Sequence, residues 1–541
     1  GNRGEFKALS CVLSEDVSYE FHGKKRIFSN WSIPEKSVYR VDKGIHQEAW
    51  DVRQFLLDIS DKAGFSSDIL VSLLKDASTT LLSELYMDNK RLEKADEIIS
   101  MPFGEVEGQL TGQPWLVFNN DRLGFSFNDH RSFAPECKKR QRLQWLAVSK
   151  TMANFKSIDQ FSYEYLLQGE LSKEDINFFE EQVFLAGSNC KTYFFLPIHD
   201  WQWDKVILPY FTQELADKKF IPLGRASDEY LPMQSTYHLG NQTNPKKLSV
   251  RLPMMTNNSV NKGSLNSTKA PVITNWLKNI LASDKFLKDT CELTLSCEVA
   301  SLSVDNKYFG QVTGLSFHYL EMVGCVWYES IVNDLKEEET ALSMAALLYE
   351  DHDGLTVLES LLEQSDMSLL CWLDCYFSVV LMPLLHFIYK YGTAFAPHGE
   401  NITVFFQNGV PVRLGIRVDV EQIQIYDANI AVHRKLPRNL RSELLQQTPE
   451  QLEHSIFTNL GACFLRFLSD LCLRHFDLDE KTFFLIGRNV IKKYQKKFPK
   501  LKKRFEQIDL LQPTFGKKNM NNLGILDDGL PKFSSINKNR I

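Results

Sequence analysis

The stretch "APHGENITVFFQNGVPVRLGIRVDV", residues 396–420, holds Asn408-Gly409 between two apolar, β-branched runs. Asn-Gly in that setting is the strongest short-range hairpin signal, because both turn residues must take φ > 0. A two-residue loop at 408–409 pairs residues whose numbers sum to 817. That register puts His398 opposite Asp419 and Asn401 opposite Ile416. Opposed side chains lie about 5 Å apart, so the hairpin gathers His398, Glu400, Asn401 and Asp419 at its open end. Carboxylate, amide and imidazole together can hold a magnesium ion and the phosphates that it bridges. A polar hairpin mouth with no chemical role is the alternative.

The run before the hairpin, "LLCWLDCYFSVVLMPLLHFIY" (369–389), is long enough to span a membrane. It contains Asp374, Pro383 and His386, and a charge at mid-span costs about 3 kcal/mol. The expectation is a buried helix of a large core. Such a core is available: the chain has 541 residues, 43% of them hydrophobic and 24% charged. That length implies more than one domain.

A net charge of −6 argues against nucleic acid as the main partner. The basic cluster "KKYQKKFPKLKKR" (492–504) reads as a solvated helix face. Ten cysteines show no C-x-x-C pair, and Cys371 and Cys375 fall on an apolar helical pattern. The expectation is a reduced, cytoplasmic protein. The opening "GNRGEFKALS" has no apolar signal region.

Helical periodicity covers 46–98. Residues 107–136 are rich in Gly, Pro and Asn and read as strands and turns; "CKKRQRLQWLAVSKTMANF" (137–155) reads as a helix. Strand character dominates 190–330, interrupted by a helix near "APVITNWLKNILAS". From about 345 the chain reads as helical apart from the hairpin. The fold class is α+β in three successive parts: mixed, sheet-rich, then helical. There is no internal repeat or long linker.

The chain lacks G-x-x-x-x-G-K-[ST], G-x-G-x-x-G, G-x-S-x-G and H-E-x-x-H. Its chemistry must come from dispersed residues. Four stretches stand out: "TGQPWLVFNNDRLGFS" (111–126) with "APE" (134–136); "LPIHDWQW" (196–203); "QSTYHL" with "RLPMMTNNSVNKG" (234–263); and "PHGENITVFFQNGVPVR" with "VDVEQI" (397–423). In this order and spacing the chain resembles the IucA/IucC family of siderophore synthetases, which act independently of non-ribosomal peptide synthetases. The resemblance runs from about residue 100 to the end.

That resemblance implies a cupped hand: a thumb (1–150), a sheet-bearing fingers domain (151–345) and a helical palm with the hairpin (346–541). ATP and magnesium lie between fingers and palm. A carboxylic acid, often citrate or a citryl or succinyl derivative, is adenylated, and an amine or hydroxylamine then attacks the acyl-adenylate. The partners implied are small molecules, with no nucleic acid and no membrane; a homodimer is allowed.

Carried over position by position, His398, Glu400, Asn401 and Asp419 match the palm motif that meets nucleotide and metal. Ser235 matches the phosphate-touching serine of S-x-R-T. Arg251 stands where the family has Lys, and Lys262 where it has Arg; both remain cations, with different hydrogen-bond geometry. Thr256, Asn257, Asn258 and Ser259 cover the stretch facing the carboxylate substrate. His199 and Gln202 match His-Pro-Trp-Gln. The implied catalytic set is Arg251, Lys262 and His398, offsetting charge as the carboxylate attacks the α-phosphate. Asp419 holds the metal with Glu400 or Asn401.

Several positions depart. Gly-His-Pro is Gly112-Gln113-Pro114, S-x-R-T is Ser235-Thr236-Tyr237-His238, and the Arg expected before Glu329 is Tyr328. The last two losses remove positive charge from a phosphate site, and one lost transition-state contact costs about 3 kcal/mol. Arg413, Arg417 or Lys517 could supply a replacement. Two rival functions stay open: a degenerate member that binds nucleotide or carboxylate without efficient turnover, and a phosphotransferase.

Overall fold

The computed structural model describes residues 6–28, 30–88, 92–110, 114, 122–256, 269–314, 319–426 and 433–512. Lys262, Asn257, Asn258, Ser259, Gln113 and Lys517 lie outside the described residues.

The chain begins with an antiparallel sheet in the order β1 (Lys7–Val12), β2 (Val17–Lys25), β4 (Val38–Asp42), β5 (Ile45–Glu48), with β3 (Trp31–Ser32) also on β2. The helix expected from residue 46 therefore starts later, at Val52. Its start is set by Asp51, whose side chain accepts from the Arg53 N–H, and its end by Gly64 at φ 69°. That left-handed residue is a common helix stop. A second helix, Ser67–Asp88, packs on it through Leu56, Leu73 and Ala77.

An eight-stranded sheet follows. Its strands are β6 (Gln141–Ser149), β7 (Ala153–Ser157), β8 (Tyr193–Ile198), β9 (Phe220–Pro232), β10 (His238–Asn241), β11 (Ser249–Arg251), β13 (Glu298–Val304) and β14 (Gly324–Tyr328). They lie in the order β7-β13-β14-β11-β10-β9-β6-β8. The helix expected over 137–155 is instead β6 and β7. β6 is hydrogen-bonded on both edges, to β8 and β9. Leu143, Leu146 and Val148 pack into one core while Trp145 and Ala147 pack into another. A strand covered on both faces carries a continuous apolar run, which periodicity does not distinguish from a buried helix.

The last part is built around a four-stranded sheet, β12-β18-β17-β15. It joins β12 (Thr294–Ser296) and β15 (Glu339–Ser343) to the hairpin strands β17 (Ile402–Gln407) and β18 (Val410–Arg417). β6 and β12 thus lie on opposite sides of residues 150 and 345 from most of their sheet partners, so sheet pairing crosses both expected domain boundaries. A short sheet of β16 (Thr393–Ala394), β19 (Gln424–Ile425) and β20 (Leu445–Gln446) closes this part.

The apolar run forms the helix Leu369–Tyr391, capped by Ser368 and ended by Gly392 at φ 56°. It is the centre of the largest core cluster. By length and composition it and Pro449–Phe476 could cross a membrane. Its polar residue is nonetheless satisfied inside the protein: His386 Nε2 lies 3.0 Å from Asp284, and Nδ1 lies 2.9 Å from the Tyr494 hydroxyl. The basic cluster runs from the last turns of the helix Glu480–Lys497, which buries Phe483, Gly487, Val490 and Tyr494, through the turn Pro499–Leu501 into the helix Lys502–Gln507. That i, i+4, i+7, i+11 stripe leaves its lysines outside.

Candidate functional site

The hairpin forms as Asn-Gly dictates, with Asn408 at φ 48° and Gly409 at φ 72°. The turn is held in place. Trp372 Nε1 donates to the Gly409 carbonyl at 2.8 Å, and a Cβ at Gly409 would collide with the Leu361 carbonyl. Arg413 ties the sheet together across three strands. It forms a buried ion pair with Glu339 at 2.7 Å, donates to Thr294 Oγ1 at 2.6 Å and stacks on Phe405.

The register differs from the expected one. Phe406 pairs with Pro411, but Phe405 pairs with Arg413, so Val412 is an extra residue. Proline has no N–H for the ladder and is at home beside a bulge. Beyond it, pairs sum to 818: Ile402 faces Ile416, and Arg417 N–H donates to the Asn401 carbonyl at 2.8 Å. The expected pairings His398–Asp419 and Asn401–Ile416 are corrected by this one-residue shift.

At the mouth, Asn401 is a staple. Its Oδ1 accepts from His398 N–H at 2.8 Å and its Nδ2 donates to the Ala396 carbonyl at 2.8 Å. Ile402 N–H closes the same turn onto the His398 carbonyl. His398 Nδ1 accepts from Glu400 N–H at 3.3 Å, which leaves the ring proton on Nε2. Burial, reinforced by the Arg417 charge, pushes the His398 pKa down to about 3. The imidazole is therefore neutral and can donate a hydrogen bond but brings no charge, contrary to the charge-offsetting role expected of it.

Asp419 caps the turn Val420–Gln422 and reaches across to the eight-stranded sheet. Arg251 Nη1, at the end of β11, lies 3.4 Å from Asp419 Oδ2. The same Nη1 lies 3.5 Å from the Tyr328 hydroxyl, which donates to Glu298 Oε1 at 3.1 Å. Glu298 Oε1 also accepts from Val420 N–H at 3.0 Å. Arg251 is buried, and although burial opposes its charge, Asp419 and its neighbours hold its pKa well above the ordinary value. Glu298 was not expected from sequence. It sits where the sheet meets the residues after the hairpin, and it fixes both Tyr328 and the backbone after Asp419.

Ser235 lies in the buried turn between β9 and β10. Thr236 there takes φ 28°, unusual for a β-branched residue. Its support comes from residues that sequence reasoning quoted but did not assign. Arg122 donates to the Gln234 carbonyl at 2.8 Å and pairs with Glu136 at 2.6 Å. Gln234 N–H donates to Glu107 at 3.2 Å. A charged residue inside the Gly- and Asn-rich stretch 107–136, with Glu136 soon after, was the available signal.

His199 and Gln202 hold backbone. His199 is fully buried against Phe133, its Nδ1 accepts from Trp201 N–H at 3.1 Å, and burial pushes its pKa down to about 3. Gln202 donates to the Met322 carbonyl at 2.9 Å and accepts from Met255 N–H at 3.0 Å. It thereby fixes the segment from Arg251 to the buried Thr256.

A solvent-open cleft lies between hairpin and sheet; Met233, His238, Ser249, Glu400, Thr403 and Arg417 are among its walls. A larger cavity of about 810 Å³ lies among the last helices. Its lining is apolar, with Arg488 the charged side chain on it, and it does not touch the hairpin mouth. Of the residues expected at the site, Glu400 lines the first cleft, while Arg251 and Asp419 lie outside its walls. Among the described residues no group of three or more His, Cys, Asp or Glu side chains converges to hold a metal.

Comparison with known proteins finds relatives along most of the chain. A sequence model described as the IucA / IucC family matches residues 102–349, and one described as a ferric iron reductase FhuF-like transporter matches residues 370–529. The rhizobactin siderophore biosynthesis protein RhbF of Rhizobium meliloti (strain 1021) is 30% identical over 518 residues, 95% of this chain and 86% of its own. The citryl-spermidine/3,4-dihydroxybenzoyl-citryl-spermidine:spermidine ligase of Bacillus anthracis is 27% identical over 528 residues, 93% of this chain and 83% of its own. The structure of ATP-bound aerobactin synthetase IucA from a hypervirulent pathotype of Klebsiella pneumoniae superposes with a TM-score of 0.77 at 15% identity, covering 98% of this chain and 94% of that one. The chain therefore belongs to the IucA/IucC family of siderophore synthetases.

Proposed function

We propose that this protein is an ATP-dependent ligase that adenylates a carboxylic acid of the citrate, citryl or succinyl class and condenses it with an amine or hydroxylamine. The observation that carries this reading is the meeting of Arg251, from the sheet, with Asp419, just past the hairpin, near the open cleft that Glu400 and Arg417 line. Membership of a synthetase family and the ATP-bound state of the IucA relative support the nucleotide. The name of the Bacillus ligase supports a citryl acid and a polyamine.

In the first step a carboxylate oxygen attacks the α-phosphorus and pyrophosphate leaves. In the second the amine lone pair attacks the acyl carbon; AMP leaves and the nitrogen loses a proton. Arg251 and Lys262 offset negative charge on the phosphates. His398 donates from Nε2, and Ser235 donates its hydroxyl. Asp419 and Glu400 are the carboxylates available to a magnesium ion, which commonly binds through one or two carboxylates plus phosphate oxygens. When bound, that ion would neutralise phosphate charge. Thr256 and Asn258 are assigned to the acid, and Gln202 keeps the segment up to Thr256 in place through the Met255 N–H. The acyl-adenylate must be kept from water, which would hydrolyse it. The enzyme would work on small molecules in the cytoplasm.

A second reading, a binding protein without efficient turnover, is favoured by Tyr237 and Tyr328 at positions where arginine is expected. A screen of carboxylic acids against diamines separates the two, read by pyrophosphate release and by the mass of the amide. Acid-dependent pyrophosphate and a condensed product support the ligase. ATP binding without either supports the binder, and release of ADP points to phosphotransfer.

A further inference from the structure

We infer that Arg417 is a further triphosphate-binding cation, beside Arg251 and Lys262, that makes up for the positive charge lost at positions 237 and 328; this rests on ATP being the substrate of the cleft. Arg417 is the last residue of β18, directly across from Asn401 and two residues before Asp419. Its half-buried side chain leaves the hairpin and reaches the turn that carries Ser235 and Tyr237, where Nη1 lies 3.3 Å from Met233 Sδ. It lines the cleft together with His238, Ser249 and Glu400.

The surrounding cations are already paired: Lys247 with Asp228 at 2.6 Å, Arg251 with Asp419 at 3.4 Å, Arg413 with Glu339 at 2.7 Å, and Lys278 with Glu329. Among the described residues, Arg417 has no carboxylate within ion-pair distance; its guanidinium donates to a thioether. The acid that feels its charge is Glu107, but Glu107 is buried and its pKa is raised by that burial. The His238 imidazole on the same cleft does not compete for an anion by charge, since burial and the neighbouring arginines push its pKa well below the ordinary value. A half-buried guanidinium with no counter-charge, facing a polar cleft, is arranged for an arriving anion, and its planar fork matches phosphate oxygens two at a time. Tyr237 and Tyr328 fit the same picture. Tyr237 stacks on Arg251 with 5.5 Å from guanidinium to ring centre, and Tyr328 accepts from it, so both tyrosines position Arg251 while Arg417 carries the unpaired charge.

The test is calorimetric titration of the full chain with a non-hydrolysable ATP analogue and, separately, with AMP. Arg417→Met should weaken the analogue about tenfold or more while changing AMP by less than about twofold. Arg417→Lys should recover part of the loss, and Tyr237→Arg added to Arg417→Met should recover it as well. Thermal unfolding of each variant establishes that it is folded. If the wild type binds the analogue and folded Arg417→Met and Arg417→Lys bind it equally well, the inference is wrong while the ligase reading stands. If the wild type binds neither nucleotide, the ligase reading falls and takes this inference with it.

Discussion

The Arg251 guanidinium and the Asp419 carboxylate, 168 residues apart in sequence, meet at 3.4 Å where the eight-stranded sheet faces the end of the hairpin. Each is drawn there by other contacts: Arg251 by its place on β11 beside Tyr328, and Asp419 by the turn whose Val420 N–H is held by Glu298. In the proposed reaction Asp419 would be a carboxylate for the magnesium ion, and Arg251, released from it, would offset charge on the phosphates.

Asp419→Ala should therefore lose acid-dependent pyrophosphate release by at least about 100-fold. The protein should stay folded, because Arg251 keeps the Tyr328 hydroxyl and the nearby Glu298. Steady-state pyrophosphate assays beside thermal unfolding check this. Turnover near wild type in the variant removes Asp419 from the metal-binding role.

His398 should act as a neutral donor. With its pKa pushed down to about 3, it carries no charge at any pH above about 5. His398→Ala should weaken binding of an ATP analogue about tenfold. The ratio of wild-type to variant affinity should stay constant from pH 6 to 8. A ratio that shrinks toward one as pH rises would mean that an imidazolium, and not the neutral ring, does the binding.

Gly409→Ala tests how the hairpin mouth is aimed. The substitution forces a Cβ into the Leu361 carbonyl and onto a residue at φ 72°. It should lower stability by about 2 kcal/mol or more and reduce turnover through the displaced Trp372–Gly409 bond. Asn408→Gly, which keeps the turn geometry, should do neither. Denaturant unfolding of both variants makes the comparison.

Glu170 gives a pH-dependent stability prediction away from the cleft. Burial raises its pKa to about 7, against the pull of the Leu248 N–H and Lys247, and its Oε2 has no hydrogen-bond partner among the described residues. Between the ordinary carboxyl value and pH 7 the folded state holds more protons than the unfolded one, so stability falls as pH rises through that window. Glu170→Gln, which keeps the acceptor for Leu248, should be more stable than wild type by about 3 kcal/mol at pH 8 and nearly equal to it at pH 4.5. Unfolding curves at the two pH values decide; equal differences at both would contradict the assignment.

What could be read from the residues follows a physical divide. The hairpin was legible because Asn408-Gly409 is a local signal. Its register was not, because Pro411 displaces Val412 and shifts every later pair by one. The strand β6 was misread as helix because two neighbouring strands and two apolar cores remove its alternation. The first four strands carried no reading, and β5 fell within the stretch read as helical from residue 46, its four residues being short and exposed. Asp419 was named from the hairpin and Arg251 through the family resemblance, but their contact is a long-range fact of the fold. Glu298 and Arg122 were missed because their roles are to hold other site residues, and such residues have no motif of their own.

The central claim is acyl-adenylate formation, and oxygen transfer tests it most directly. The acid substrate found by the screen is labelled with oxygen-18 in its carboxylates and turned over with ATP and amine. Attack of a carboxylate oxygen on the α-phosphorus predicts AMP carrying one labelled oxygen, with pyrophosphate unlabelled. Label in inorganic phosphate with ADP as the other product, or an amide formed with unlabelled AMP, would contradict the account.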